Sequence, residues 1–304
     1  MNYGYRKLVA CLNSGYNQTQ IIDLLRRSEV KKKLAALGVL LLCAMLVLTG
    51  CSSSSSSDDP LADGVLTIAV DDTYLPMEFR DDNNDLVGFD IDLGNALAEQ
   101  LGVKAEFVTV AWDGIFTGLT SNQYDVIISS TSITPERQES YSQSDPYIAN
   151  GIVIVSRVDD TSKATTFEEL AGSTVGVQLE TSADVAAQTL QEETGTDITL
   201  KQFDGMLDAF SALEGKQIDY VMTDEAVAQY YVAQKPETFV ISTTTPLTNE
   251  PIGVTARKED TALTEKINEA LKKLKEDGTL KSISEKWLGA DMTSDIDTTL
   301  NVIE

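Results

Sequence analysis

The chain has 304 residues, with 23 Lys and Arg against 48 Asp and Glu, and its formal net charge is −25 at pH 7. The length suffices for two domains, and so acidic a chain is not expected to bind nucleic acid. The sequence contains no histidine, which excludes Ser-His-Asp and Cys-His catalysis and every histidine metal site. Cys11, Cys43 and Cys51 all precede the segment predicted to fold, so we expect no disulfide framework, metal site or cofactor.

An N-terminal signal is the first recognisable segment. Three lysines at 31–33 precede an apolar run over 34–48, which is short for a membrane-spanning helix and typical of a secretory signal peptide. The run ends in Leu-Thr-Gly-Cys at 48–51, which resembles a bacterial lipobox, where the cysteine is lipid-modified and becomes the first mature residue. We therefore predict a lipoprotein signal peptide over 30–50 and a lipid anchor on Cys51 at the extracytoplasmic face of the bacterial cell membrane. The alternative is an uncleaved membrane anchor.

Residues 1–29 do not fit such a signal, because an n-region this long and mixed is unusual. We expect them to be untranslated or disordered, with translation starting at Val30 if Arg26 and Arg27 are encoded by AGG codons. The serine-rich segment over 51–61 is predicted to be a flexible tether.

The folded region begins with a strand over 65–70, followed by Asp71 and Tyr74. A carboxylate and a ring are thereby expected near the carboxyl edge of a sheet, where α/β proteins bind ligands. The acidic turn over 81–85 lacks the glycine and closing glutamate of a calcium loop, so it is not predicted to bind calcium.

Helix and strand then alternate. A helix is predicted from Gly88 to Leu101, a strand over 103–110 and a further helix starting at Trp112. This alternation indicates an α/β fold with a parallel or mostly parallel sheet.

The stretch over 123–140 carries the most specific pattern. A buried strand at Val126 to Ile128 leads into four hydroxyl residues at 129–132, and Thr134-Pro135 then reads as an N-cap followed by proline at the first helical position. Arg137 lies one turn into that helix. Free amide hydrogens, the helix dipole and the guanidinium together favour a carboxylate or phosphate. The alternative is an ordinary strand-to-helix turn with a solvated arginine.

Four segments in this order and spacing carry a resemblance. They are Tyr-Leu-Pro-Met-Glu-Phe at 74–79, Gly-Phe-Asp-Ile-Asp-Leu at 88–93, Trp-Asp at 112–113, and Ser-Ser-Thr-Ser-Ile-Thr-Pro-Glu-Arg at 129–137. Together they resemble the polar amino-acid family of ABC-transporter solute-binding proteins, bacterial extracellular family 3, over residues 62–290. The resemblance implies a two-lobed, type II periplasmic-binding-protein-like α/β fold, with the ligand cleft between lobes joined by a two-strand hinge.

The alternation restarts over 167–178, where a second lobe begins. Thr181 and Ser182 offer hydroxyls at the next helix start, and a strand over 218–224 ends at Asp224. We predict lobe 1 over 62–149 and 247–290, lobe 2 over 150–246, and a poorly ordered tail over 291–304.

The resemblance implies a role for each part of a bound amino acid. Arg137, helped by serines and the 181–182 helix start, would bind the carboxylate, and Asp224 would bind the ammonium unless it only caps its helix. Tyr74 and Trp112 would flank the side chain and Asp71 would meet its polar end. The predicted ligand-binding residues are Asp71, Tyr74, Trp112, Ser129, Ser130, Ser132, Arg137, Gln178, Thr181, Ser182 and Asp224.

Rings beside an acid suit a cationic side chain, so arginine, lysine or ornithine is favoured. Glutamine, another neutral polar amino acid or cystine is the alternative. Glu180 and Gln178 depart from the family pattern. Glu180 either enters the pocket and reinforces cation selection or points to solvent.

An ABC permease and ATPase are the partners that the resemblance implies, and a monomer is expected. The other function classes are a dehydratase-like enzyme on the same fold, with carboxylates such as Asp71 as acid or base, and a sensory protein that presents ligand to a receptor.

Overall fold

The structure is a computed structural model that describes residues 60–303. The predicted signal peptide, Cys51, Val30 and most of the tether lie outside the described residues. Among the helices of the described part, none is long and apolar enough to cross a bilayer.

Strands and helices alternate along most of the chain. The strands are β1 Val65–Val70, β2 Thr73–Tyr74, β3 Glu78–Arg80, β4 Leu86–Val87, β5 Lys104–Thr109, β6 Val126–Ile127, β7 Tyr141–Gln143, β8 Ile152–Arg157, β9 Thr174–Gln178, β10 Thr199–Phe203, β11 Tyr220–Asp224, β12 Phe239–Ile241 and β13 Thr255–Arg257. The helices are α1 Phe89–Leu101, α2 Trp112–Thr120, α3 Pro135–Ser140, α4 Ser182–Thr194, α5 Met206–Glu214, α6 Glu225–Gln234, α7 Thr261–Glu276 and α8 Thr279–Leu288.

Two five-stranded sheets form the centres of two lobes. The first has the order β5-β1-β6-β13-β7 and the second the order β10-β9-β11-β8-β12, while β2, β3 and β4 form a small separate sheet. In each large sheet three strands are parallel and the other two run antiparallel to their neighbours. The sheets are therefore mixed rather than wholly parallel, because the strands that follow the crossings between lobes enter each sheet from the opposite end.

Local chemistry explains the elements of lobe 1 that lie next to the cleft. The apolar strand β1 is almost wholly buried, and α1 lies against it and packs also on β5, α7 and α8. Helix α1 ends at Gly102, which adopts the left-handed conformation with φ 72°. Gly88 precedes this helix with φ 139°, and a Cβ there would lie 2.2 Å from the Met77 carbonyl oxygen. Only glycine fits that approach without strain.

Two crossing segments connect the lobes and pair with each other. Ile148 and Ile252 form an antiparallel bridge, and the Glu250 amide donates to the Asn150 carbonyl at 3.1 Å. This pairing is a two-stranded hinge of the predicted kind.

The tail after α8, predicted to be poorly ordered, makes backbone hydrogen bonds with the two crossing segments in this structure. The Ala149 amide donates to the Met292 carbonyl at 2.9 Å, and Asn249 and Asn301 exchange backbone hydrogen bonds of 2.8 and 3.0 Å. Ile303 then packs against the apolar core of lobe 2. Polar composition suggested a free tail, but the unpaired backbone edge of the hinge gives these residues hydrogen-bond partners.

Candidate functional site

A small cavity lies between the lobes, at the carboxyl ends of the parallel strands. It is lined by ten of the predicted ligand-binding residues and by Ala183, namely Tyr74, Trp112, Ser129, Ser130, Ser132, Arg137, Gln178, Thr181, Ser182, Ala183 and Asp224. Asp71 is the predicted residue that does not line it.

Arg137 reaches the cavity from α3. Thr134 caps this helix, with its hydroxyl accepting from the Arg137 amide at 3.2 Å, and Pro135 occupies the first turn as predicted. The half-buried guanidinium donates to the Ser132 carbonyl at 3.1 Å and lies 5.7 Å from the ring centre of Trp112 and 5.2 Å from that of Phe116. Burial lowers the pKa of Arg137, while the nearby carboxylates of Glu250 and Asp224 oppose this shift. The Ser132 carbonyl and the two rings that contact the guanidinium are neutral, so its charge can pair with an anion.

The serine loop over 129–132 is held from behind by two buried acids. The Ser129 hydroxyl donates to Glu78 at 2.6 Å and accepts from the Asp71 amide at 3.0 Å. The Ser130 amide donates to Asp90 at 2.7 Å, and Ser130 has φ 44°. Burial raises the pKa of Asp90 to about 6 and that of its neighbour Glu78 well above the usual range. The hydroxyl of Ser129 therefore makes its hydrogen bonds within lobe 1, and Ser130 is held through its backbone amide.

Asp224 faces the cavity from the end of β11. Its carboxylate accepts from the Tyr74 hydroxyl at 2.7 Å and from the Asn150 amide at 2.8 Å. Although Asp224 occupies the N-cap position of α6, its side chain makes no capping hydrogen bond. Burial raises its pKa to about 6, Glu250 raises it further, and the bonds from Asn150 and Tyr74 oppose the shift. The carboxylate is thus directed to the cavity and not to its own helix.

Helix α4 approaches the cavity with its N-terminus. Thr181 is the N-cap, accepting from the Asp184 amide at 3.3 Å and donating to the Gln178 carbonyl at 2.8 Å. Its hydroxyl is therefore used within the lobe. Ser182 lies 3.2 Å from Ser132 across the cleft, oxygen to oxygen. The amides of Ser182 and Ala183, the first two residues of the helix, precede the first intrahelical bond, so they can serve as donors for an anion.

Gln178, and not Asp71, lines the cavity. Its side-chain amide donates to an Asp71 oxygen at 2.7 Å and to the Asp204 carbonyl at 3.0 Å. The other Asp71 oxygen accepts from the amide and hydroxyl of Thr73 at 3.2 and 2.8 Å. Burial raises the pKa of Asp71, although the bonds from Thr73 and Gln178 oppose it. Asp71 does not line the cavity, and Gln178 lies between the two; direct contact between Asp71 and a ligand stays a prediction.

Glu180 is exposed and lines a neighbouring groove instead of the cavity. It adopts φ 60°, and its carbonyl accepts from the Trp112 indole at 3.1 Å. Of the two alternatives, the structure agrees with the one in which the side chain points to solvent.

Sequence reasoning missed four residues that shape this site. Phe116 and Asn150 carry no local signal, since their roles depend on a neighbouring helix and on the hinge. Glu78 and Asp90 lie within the recognised segments but were given no role. Asp90 stands between Phe89 and Ile91 on the buried side of a helix start, and that pattern could have marked it as a buried acid.

Known proteins are similar to this chain over most of its length. The family described as bacterial extracellular solute-binding proteins, family 3, matches residues 66–290. The L-cystine-binding protein TcyJ of Escherichia coli (strain K12) is 31% identical over 264 residues, covering 85% of this chain and 96% of its own. The ABC transporter arginine-binding protein 1 of the same strain is 33% identical over 228 residues, covering 73% and 90%.

Among solved structures, an ancestral arginine-binding protein bound to arginine superposes with a TM-score of 0.70 at 40% identity, covering 74% of this chain and 99% of that chain. This likeness confirms the predicted two-lobed, type II binding-protein fold. The chain therefore belongs to the bacterial extracellular solute-binding proteins, family 3, as its four sequence segments indicated.

Proposed function

We propose that this protein binds a polar amino acid, with a cationic side chain favoured, and delivers it to an ABC importer. The observation that carries the proposal is the pair of opposite charges, Arg137 and Asp224, that face one cavity from different lobes. A free amino acid carries a carboxylate and an ammonium on one carbon. Arg137 and the amides at the start of α4 would bind the carboxylate, and Asp224 would bind the ammonium.

Closure of the lobes is the expected response to binding. Tyr74 and Asp224, Ser132 and Ser182, and Trp112 and Glu180 already form hydrogen bonds between the lobes. A ligand that contacts both sides adds to these bonds only when the lobes are together, so it shifts the population towards the closed form. A permease would then recognise that form.

The favoured cationic side chain is supported by the charges around the cavity. The rings of Tyr74 and Trp112 can flank a guanidinium or ammonium, and Asp71 lies directly behind Gln178. Relatives that bind arginine and relatives that bind cystine are both similar to this chain, so glutamine, another neutral polar amino acid or cystine is the competing ligand class.

A thermal-shift screen of the purified protein against the twenty amino acids, ornithine and cystine tests the proposal. Binding to the native state raises the melting temperature, by an amount that grows with ligand concentration over Kd. We expect the largest shift with arginine, lysine or ornithine. A largest shift with glutamine or cystine would move the ligand to the competing class, and no shift with any compound would reject amino-acid binding.

The proposed location is the extracytoplasmic face of the membrane, with a lipid on Cys51 as the anchor and the monomer as the functional unit. The support is the lipobox-like sequence at 48–51. We expect Cys51→Ser to release the protein from the membrane fraction of expressing cells. Tight association of that variant would favour an uncleaved anchor.

A further inference from the structure

The polar end of the cavity presents a buried hydrogen-bond acceptor, the side-chain oxygen of Gln178. Gln178 is only 1% exposed, and its Oε1 atom lacks a hydrogen-bond partner within the part of the chain that the structure describes. Leaving a buried carbonyl oxygen unpaired costs free energy. Because Gln178 lines the cavity, a bound molecule is the natural partner for that oxygen.

The hydrogen-bond acceptors around the Gln178 side chain determine the orientation of its amide. Both neighbours of its nitrogen, the Asp71 carboxylate at 2.7 Å and the Asp204 carbonyl at 3.0 Å, are acceptors. A flipped amide would direct its oxygen at these two acceptors and would lose both hydrogen bonds. Asp71 is in turn held by Thr73. The carboxylate therefore directs the Gln178 oxygen away from itself.

We propose that the Gln178 amide oxygen selects ligands whose side chain ends in an N–H donor, and that Asp71 is a positioning residue that acts through Gln178. This inference rests on the proposed amino-acid binding and specifies how the side chain is recognised. A guanidinium, ammonium, ureido or carboxamide end satisfies the oxygen, whereas a methyl or thioether end leaves it unpaired.

The two partners of this contact belong to different lobes, since Asp71 and Thr73 follow β1 whereas Gln178 ends β9. Asp71 can orient Gln178 only when the lobes are together. Discrimination between side chains is thereby linked to closure, and a ligand without a donor would meet a correctly oriented but unsatisfied oxygen in the closed form.

Calorimetric affinities of the whole protein for arginine, citrulline, glutamine and methionine test the inference. Citrulline and glutamine carry neutral N–H donors, and methionine has no donor at its side-chain end. We expect glutamine and citrulline to bind at least about tenfold more tightly than methionine, which corresponds to about 1.4 kcal/mol. Equal affinity for the three neutral compounds would overturn the inference.

Variants of Gln178 and Asp71 distinguish the roles of the two residues in side-chain selection. Gln178→Leu should weaken arginine, citrulline and glutamine by roughly 10- to 100-fold, the range for a buried hydrogen bond to a polar or charged donor, and leave methionine within threefold. Asp71→Asn keeps an acceptor opposite the Gln178 nitrogen, so the preference for citrulline over methionine should persist. Asp71→Ala removes that acceptor and leaves only the Asp204 carbonyl to orient the amide, so the preference should fall.

The outcomes also distinguish this inference from the proposed function. Arginine affinity that is unchanged in Gln178→Leu but equally reduced in Asp71→Asn and Asp71→Ala would mean that Asp71 contacts the ligand itself, and would overturn the inference alone. No binding of any compound by the wild-type protein would reject the proposed function and the inference with it. If Gln178→Leu fails to fold in a ligand-free melt, the wild-type selectivity and the Asp71 variants still decide.

Discussion

Strands β6 and β11 occupy the same place in the two sheets, yet they present opposite charges to the cavity. Each lies between a parallel and an antiparallel neighbour. After β6 the chain runs through the segment 128–134 before α3 begins, so a loop of serines and then Arg137 face the cleft. After β11 the helix α6 begins at the next residue, so Asp224 itself faces the cleft.

The difference shows how the length of one connection decides which group a shared scaffold presents. A long connection exposes backbone amides and hydroxyls and needs support, which Glu78 and Asp90 supply. An immediate helix start leaves one side chain at the strand end, where Tyr74 and Asn150 hold it. The two lobes thus present opposite charges to one cavity.

Removing the cation of the β6 side should have the largest effect. We expect Arg137→Ala to weaken amino-acid binding by at least about 30-fold, because loss of one partner of a buried charge pair costs about 2–5 kcal/mol. Isothermal calorimetry measures the change. Lys272→Ala, on the exposed face of α7, removes the same charge as a control and should bind normally. Near-normal affinity of Arg137→Ala would contradict its proposed role.

Removing the anion of the β11 side should cost less. Asp224→Asn keeps an oxygen that can accept from the Tyr74 hydroxyl but loses the negative charge that faces the ammonium. We expect a loss of roughly 10- to 100-fold, the range for hydrogen bonds to charged groups. The neighbouring variant Glu225→Gln is the matched control. A loss equal to that of the control would show that Asp224 is not the ammonium partner.

Lowering the pH should weaken ligand binding by protonating Asp224, on the β11 side of the site. The pKa of Asp224 is raised to about 6 by burial, and the ammonium requires its charged form. Affinity should be constant above pH 7 and fall by about tenfold per pH unit well below 6, since each further pH unit below the pKa lowers the charged fraction of Asp224 about tenfold. Calorimetry at pH 7.5, 6.0 and 5.0 measures the change, and Asp224→Asn should lose most of this dependence.

As the pH falls, the melting temperature of the ligand-free protein should rise, whereas the affinity falls. Asp224 and Asp90 have pKa values above the ordinary value for aspartate in the folded protein, so the folded state binds more protons than the unfolded state. Stability therefore rises as the pH falls from 7 to 5. A parallel fall in affinity and stability would indicate general acid unfolding instead of titration at the site.

The smallest effect is expected at Glu180, whose side chain is exposed and whose carbonyl accepts from Trp112 of the other lobe. Glu180→Gly should change affinity by less than about twofold and unfolding free energy by less than about 1 kcal/mol, because relief of the φ of 60° is offset by the added freedom of glycine in the unfolded chain. Titration with arginine and glutamine measures both affinities. A selective loss for arginine would place the carboxylate near the ligand.

Much of the fold follows from local sequence signals. The apolar run of β1, the Thr134-Pro135 helix start and the left-handed Gly102 cap act within a few residues, so their elements could be predicted. The anion site around Arg137 could be predicted for the same reason, because strand, loop and helix start are contiguous in the chain. Asp224 needed the family resemblance, since one acid after a strand has several local explanations.

The tertiary structure alone decided which polar groups meet. The pairs Tyr74 with Asp224 and Asp71 with Gln178 are far apart in the chain and come together only when the lobes pack. The hydrogen bond from Gln178 to Asp71 depends on how one lobe packs against the other, and no local sequence pattern encodes it. The same is true of the tail, whose backbone hydrogen bonds depend on the free edge of the hinge. Sequence therefore determined the elements and the kind of site, while packing between distant segments determined what each side chain can reach.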